Sequence, residues 1–272
     1  MSDQYLHRWF PDGKTNFAYN CLDRHVKAGH GDRVCFYEDS VYTGKQRAWT
    51  YNEVLNESGR LATVLKEQFG VRAGDRVIIY MPMIVESCFT MLACARIGAI
   101  HSVVFGGFSP KELANRIDNC EPKLIITGSM GIEPNKHIPY TPIIDEALNQ
   151  HCELSGAANM PRLIKQRNEL DGSLRAEGLD GRLYKDYDEL MQGTTEVAEC
   201  ESLPANSPAY ILYTSGTTGA PKGVVRDVGG SMVSLRWAME NIYNLHRESV
   251  TFATSDIGWI VGHSNIVYGP LL

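Results

Sequence analysis

Between Val77 and Phe105 the sequence reads as a β-rich run (Val77 to Met81), a helix-length apolar stretch with few charges (Ile84 to Ile97) and a second β-rich run (Ile100 to Phe105). Strands joined through a crossover of that length are predicted to lie parallel, because only antiparallel neighbours can be linked by a tight hairpin. Ser109-Pro110-Lys111-Glu112 marks the start of a further helix, with a capping box and proline at the first helical position, and Leu124 to Thr127 is the strand that follows. This alternation makes the chain an α/β protein with mixed, mostly parallel sheets flanked by helices. Such a sheet is covered on both faces and needs a sizeable core, which 272 residues with 43% hydrophobic content can supply.

The remaining elements are predicted around that unit. Val34 to Tyr37 and Ala48 to Thr50 form a strand pair, and Thr50-x-x-Glu53 is a capping box opening a helix that Gly70 closes. Residues 128 to 142 read as loop, Ile143 to Leu148 as a short helix, and residues 153 to 182 as polar surface. Ala198 to Pro208 reads as a linker returning to a core strand. After Gly229 and Gly230 a helix is expected to place Met232, Leu235, Met239 and Ile242 on one face, the methionines filling core space, and Val250 to Thr254 is expected to be a strand.

The chemistry concentrates in Tyr213 to Gly223, YTSGTTGAPKG. Gly216 and Gly219 permit backbone turns that bring N–H groups toward an anion, Thr214, Ser215, Thr217 and Thr218 add hydroxyl donors, and Lys222 adds a cation, with no carboxylate among them. Such a loop is suited to phosphate. The Walker pattern does not fit, since Pro221 stands at its second glycine and Gly223 follows the lysine. The flanks AYILY and GVVR predict strand, loop, strand, which leaves helix-dipole binding a minor contribution. Gly106 and Gly107 follow a strand's carboxyl end, where open α/β sheets place ligands, although a plain tight turn explains them equally.

Other chemistries find no support. Gly262-His263-Ser264 lacks the second glycine of a nucleophile elbow, Ile266 standing in its place, and the eight histidines include no HExxH. A net charge of −6 argues against a nucleic-acid surface, and no run of apolar residues is long enough to span a membrane. Seven cysteines without CxxC spacing point to reduced thiols, hence to the cytoplasm, with a mitochondrial location as the alternative.

Three stretches, NCLDRH (Asn20 to His25), YTSGTTGAPKG and DIGWIVGHS (Asp256 to Ser264), resemble the short-chain acyl-CoA synthetases of the AMP-forming adenylating superfamily, and the resemblance runs from about Trp9 to Leu272. It implies an ATP-dependent carboxylate:CoA ligase acting through an acyl-adenylate, with ATP, Mg²⁺ and CoA taking part beside a small carboxylate. By that resemblance Thr214, Ser215, Gly216, Thr217, Thr218, Gly219 and Gly223 bind the nucleotide phosphates. Lys222, the catalytic residue, clamps them; it is not a general base. Trp259, Ile260, Val261, Gly262 and His263 line the acyl pocket and CoA tunnel, and no metal ligand is assigned.

The resemblance also sets expectations about extent and substrate. Residues 1–72 correspond to the family's opening segment and 73–272 to a truncated AMP-binding domain, the C-terminal domain with its catalytic lysine having no counterpart. The chain is therefore expected to be the N-terminal part of a ligase, inactive alone, with the missing part as its partner. A non-catalytic module binding nucleotide or protein is the rival. Ile257, Trp259, Ile260, Val261, Ile266, Val267, Leu271 and Leu272 are expected to show exposed apolar faces. Glu133 and Pro134 depart from the basic loop that holds CoA phosphates in acetyl-CoA synthetases, leaving Lys136 and His137. Ile260-Val261, where acetyl enzymes carry Val-Thr, makes the pocket more apolar and favours propionate.

Overall fold

The structure, a computed structural model, describes residues 9–133, 136–168, 183–214 and 221–272. The chain opens with β1 (Lys14–Thr15) and two turns of wide helix, Tyr19–Asp23 and Val26–His30. A hairpin of β2 (Val34–Asp39) and β3 (Gln46–Thr50) leads into α1 (Tyr51–Phe69). The predicted parallel unit follows as β4 (Arg76–Tyr80), α2 (Val85–Arg96) and β5 (Ile100–Val103), then α3 (Pro110–Cys120) and β6 (Leu124–Gly128). Next come β7 (Met130–Glu133), β8 (Lys136–Pro139), α4 (Tyr140–Glu146), β9 (Arg162–Lys165), β10 (Tyr184–Asp186), α5 (Tyr187–Gln192) and β11 (Leu203–Pro204). The chain continues through β12 (Pro208–Thr214), β13 (Lys222–Asp227) and α6 (Val228–Asn241), and ends in a helix built of α7 (Ile260–Gly262), a wider stretch His263–Tyr268 and α8 (Gly269–Leu271).

Seven strands form one sheet in the order β10-β9-β6-β4-β5-β12-β13, parallel throughout except for the antiparallel edge strand β13. Strand alternation sorts β4 between two cores. Val77 and Ile79 pack with α1, α2 and the final helix, whereas Ile78 and Tyr80 pack with α3 and α4. Because α2 lies between the sheet and α1, all but one of its residues are buried, which is why its sequence lacks a polar face. The chain leaves β4 toward one face and β5 toward the other, so a crevice opens outside the carboxyl ends of these two neighbours.

Local signals held where their partners were local. Thr50 accepts from the Glu53 N–H while the Glu53 carboxylate accepts from the Thr50 N–H, and Gly70 closes α1 at φ 62°. Ser109 accepts from the Glu112 N–H with Pro110 behind it.

Five expectations are corrected. Residues 128 to 142 contain the β7–β8 hairpin, pinned where Tyr140 packs at a tilt against Tyr80 with ring centroids 4.7 Å apart, and α4 starts at Tyr140, ahead of Ile143. Within the supposed surface stretch 153 to 182, β9 is a buried parallel strand between β6 and β10; residues 169–182 lie outside the described residues. Val250 to Thr254 form no strand: Val250 and Phe252 are exposed, and propensity without a neighbouring strand does not hold a ladder. Gly229 and Gly230 lie inside the first turn of α6, capped by Asp227, and Ile242 is exposed past its end. Lastly, Ile257, Val267, Leu271 and Leu272 are buried and Ile266 is partly so, because the final helix packs on the opening segment and α6.

Candidate functional site

The hairpin carrying the phosphate-loop sequence is the β12–β13 pair, in which Thr214 lies opposite Lys222 and Tyr213 opposite Gly223. The two flanking strands of the expected order are therefore present, paired antiparallel. Ser215, Gly216, Thr217, Thr218 and Gly219 lie outside the described residues; Thr214 and Lys222 bracket them at the exposed mouth. The Thr214 hydroxyl sits 3.5 Å from the Lys222 carbonyl. Gly223 is required by close approach, since a Cβ there would stand 3.0 Å from Ile211 and 3.2 Å from the Tyr213 ring. Parallel pairing of β12 with β5 puts this mouth on the carboxyl edge of the sheet, the same edge as Gly106 and Gly107.

The second stretch reaches that edge from the other side of the crevice. Asp256 accepts from the Gly258 N–H, folding the chain into a tight turn, and the Ile257 N–H meets the Met83 sulfur at 3.3 Å just past β4. Trp259 then stands over the β5 carboxyl end, its ring centroid 5.9 Å from Phe105 and 6.1 Å, edge-on, from Phe108. Trp259, Ile260 and Val261 are each a little under half exposed, whereas Gly262 and His263 are buried beneath them. Gly262 has no room for a side chain against the Asp256 carbonyl and Ile257.

A bridge that motif reading missed joins the two stretches. The Arg116 guanidinium lies 4.2 Å from the Phe108 ring centroid and 5.7 Å from that of Tyr213, and is steadied by Glu112 at 2.8 Å. Trp259, Phe108, Arg116 and Tyr213 thus form a continuous chain of ring contacts from the 256–264 stretch to the base of the β12–β13 hairpin. Tyr213 also donates to the Asn119 carboxamide at 2.7 Å, and burial pushes its phenol up. An arginine inside a helix with a polar sequence gives no signal of this role; only α3 docking beside β12 does.

Beneath Trp259, Ile260 and Val261, residues His101, Tyr210, His263 and Tyr268 form a buried aromatic cluster. His263 Nδ1 is 3.2 Å from the Trp259 carbonyl and its Nε2 has no partner; burial lowers its pKa to about 4, partly opposed by hydrogen bonds to backbone at Trp259 and Ile257. His101 Nε2 is 2.5 Å from the Tyr268 hydroxyl, and burial followed by the neighbouring His263 holds it well below the usual imidazole range. With neutral rings this cluster is an uncharged aromatic floor. Burial also raises Asp256, against the Gly258 hydrogen bond.

Two further features frame the site. Lys136 and His137 lie exposed on the β7–β8 hairpin, and residues 134 and 135 are outside the described residues. A cleft of about 1600 Å³ runs between the β2–β3 hairpin, Met83 to Glu86 and residues 245 to 253, and neither Trp259 nor Lys222 lines it. Among the described residues no group of three or more His, Cys, Asp or Glu could hold a metal ion, and no helix is long and apolar enough to cross a membrane.

Residues 22–272 match the family model described as "AMP-binding enzyme". The chain belongs to this family. It is 46% identical over 265 residues to the human protein "Acyl-CoA synthetase short-chain family member 3, mitochondrial", covering 97% of this chain and 37% of that one. With "Acetyl-coenzyme A synthetase" of Xanthobacter autotrophicus it shares 42% identity, covering 97% of this chain and 39% of the relative. The fold matches that of "Acetoacetyl-CoA Synthetase from Streptomyces lividans" with a TM-score of 0.82 at 24% identity, over 97% of this chain and 38% of the other. The AMP-binding chain therefore spans about two fifths of the length of these relatives, an N-terminal portion.

Proposed function

We propose that this chain forms the N-terminal portion of an ATP-dependent short-chain carboxylate:CoA ligase. The observation that carries the reading is the meeting, at one carboxyl edge of the sheet, of the phosphate hairpin and the Trp259 stretch, linked through Phe108 and Arg116. Both substrates of adenylation are anions, so bringing them together requires fixed cations and donors, each worth about 3 to 4 kcal/mol in comparable sites. In this reading Thr214, Ser215, Gly216, Thr217, Thr218, Gly219 and Gly223 surround the β- and γ-phosphates and Lys222 neutralises them. The carboxylate then attacks the α-phosphorus, pyrophosphate leaves, and the CoA thiolate displaces AMP from the acyl-adenylate. Mg²⁺ would supply further positive charge against the triphosphate.

Trp259, Ile260 and Val261 would form the acyl wall, with Gly262 and His263 as its floor. The missing threonine hydroxyl favours propionate over acetate, an added methylene being worth about 1 to 3 kcal/mol, so tens of fold. Val261→Thr in the complete protein should move the kcat/KM ratio back toward acetate; acetate winning already in the parent would sink the propionyl assignment alone. Residues 1–72 serve as the opening segment and 73–272 as the first part of the AMP-binding domain, and the reduced cysteines suit a cytoplasmic or mitochondrial setting.

Turnover would require the remainder of the relatives' length, so the 272-residue chain should be inactive alone. Propionate-dependent exchange of pyrophosphate into ATP tests this. Exchange by the complete protein and none by this chain is the expected pair; nucleotide binding without exchange by either would favour a non-catalytic module.

A further inference from the structure

Tyr80 has no part in the chemistry above, yet it reaches the crevice from within the sheet. It ends β4, is wholly buried, and carries its hydroxyl to the turn that follows β5, where it donates toward the Gly106 carbonyl at 2.9 Å and the Phe108 carbonyl at 3.2 Å. A phenol has a single proton to share between those two acceptors. Burial, with Tyr140 alongside, pushes this phenol up, so the proton is in place at neutral pH. The ring is held separately, by packing against Tyr140. Ring and hydroxyl thus have different partners, and only the hydroxyl touches the turn through a hydrogen bond.

That turn is tight. The Phe108 N–H donates to the Phe105 carbonyl at 3.1 Å, which brings the two rings edge to face with centroids 5.7 Å apart. Neither glycine between them has room for a side chain: a Cβ on Gly107 would stand 2.5 Å from the Phe105 ring, and one on Gly106 would strike the Tyr140 hydroxyl. The turn before Trp259 seats directly on this one. Gly258 approaches so closely that a Cβ there would lie 3.1 Å from the Phe105 nitrogen, and Trp259 rests against both phenylalanine rings. Where Trp259 stands therefore follows from where the Phe105–Phe108 turn stands. The Val104 N–H donates to the Ile79 carbonyl at 2.9 Å at the end of the β4–β5 ladder, and the Tyr80 hydroxyl carries the connection onward to Phe108.

We infer that the Tyr80 hydroxyl is a positioning group for the acyl wall: by tying the Gly106 and Phe108 carbonyls to the end of β4 it fixes the Phe105–Phe108 turn, and through that turn the place of Trp259 over the crevice. The inference rests on reading Trp259, Ile260 and Val261 as that wall. A side chain that only filled this face of the sheet would need no hydroxyl, since phenylalanine packs the same ring. A wall free to shift loses discrimination between acids that differ by one methylene, because small displacements of the groups that place a substrate weigh heavily on its reaction.

The test uses the complete protein, of which this chain is the N-terminal portion. Tyr80→Phe keeps the ring and removes the hydroxyl. It should bring the propionate-to-acetate ratio of kcat/KM about fivefold closer to one and raise KM for the carboxylate while leaving KM for ATP unchanged, a factor in keeping with the loss of one hydrogen bond. Fewer correctly folded molecules would lower kcat alone and could not move the ratio. Amide hydrogen exchange, read without substrate, should quicken about tenfold in peptides covering 104–109 and 256–262 and stay unchanged in α1. Tyr184→Phe deletes a hydroxyl bonded to Asp145 at 2.7 Å on the far flank of the sheet, and should leave the ratio and both peptides as in the parent. An unmoved ratio, unchanged hydrogen exchange at 256–262, equal acceleration in α1, or the same effects from Tyr184→Phe would each overturn the inference. A parent without propionate-dependent pyrophosphate exchange would instead remove the ligase reading, and hydrogen exchange at 256–262 would then still decide whether Tyr80 places Trp259.

Discussion

Lys222 stands exposed at the hairpin mouth, with no carboxylate in the loop sequence to compete for it. In the complete protein Lys222→Ala is expected to slow adenylation on the order of a hundredfold while thioester formation from preformed acyl-adenylate changes little, because triphosphate is present only in the first half-reaction. Equal losses in both halves would make it a structural lysine. Asp23 and Arg96 pose a different question, since both are buried and each satisfies the other. Asp23→Asn would leave the guanidinium with the Ala198 carbonyl and a neutral amide, at a cost of about 3 to 5 kcal/mol in urea unfolding. His263 sets a pH limit. Its ordinary imidazole pKa is near 6.5 unfolded and about 4 folded, so the unfolded chain binds more protons between those values. Stability is therefore complete above about pH 6.5 and declines as pH falls toward 4, by about 3 kcal/mol for this ring, with His101 acting in the same direction. Between pH 7 and 4.5 the melting temperature of the parent should fall further than that of His263→Phe; parallel curves would count against it.

Among elements, α1 gives the cleanest reading because both of its ends are closed locally, by the Thr50–Glu53 pair and by Gly70. Thr50→Ala should cost about 1 kcal/mol, measured by denaturant midpoint at unchanged slope. That end was legible in the sequence for the same reason: every partner lies within four residues. The β4–α2–β5 succession was legible too, because elements buried on nearly every side carry mostly apolar sequence, and α3 because Ser109 and Pro110 mark its start. Val250 to Thr254 shows the reverse, where a β-rich run finds no neighbour and Phe252 stays exposed. β9 escaped notice since four residues between two other strands carry no periodicity, and the β7–β8 hairpin because Tyr140 on Tyr80 pins it from outside its own span. At the site, the glycine-rich hairpin and the tryptophan turn announced themselves by composition. Arg116, Phe108 and His101 did not, being brought there by helix docking and sheet order.

At the scale of the molecule, the apolar surface expected on the final helix proves confined to Trp259, Ile260 and Val261, each about 45% exposed, while Trp237, Ile242, Tyr243, Val250 and Phe252 add exposed apolar area on and after α6. Contiguous apolar surface of more than a few hundred Å² promotes association. Sedimentation velocity of the isolated chain should accordingly show concentration-dependent self-association that Phe252→Ser with Val250→Thr reduces; a single monomeric species up to about 100 μM would refute it. The order of the strands also has a temporal side. The sheet is completed on one flank only when β12 joins β5, and His101 meets Tyr210, a residue made 109 positions later. At ribosomal speeds of about 5 to 20 residues per second, the nascent protein carries β5 as an open edge for roughly 5 to 20 s. During that interval the strand that will floor the crevice is a template for any passing strand, so the yield of native protein should depend on translation rate and on chaperones that shield edges, more than on the final stability of the sheet.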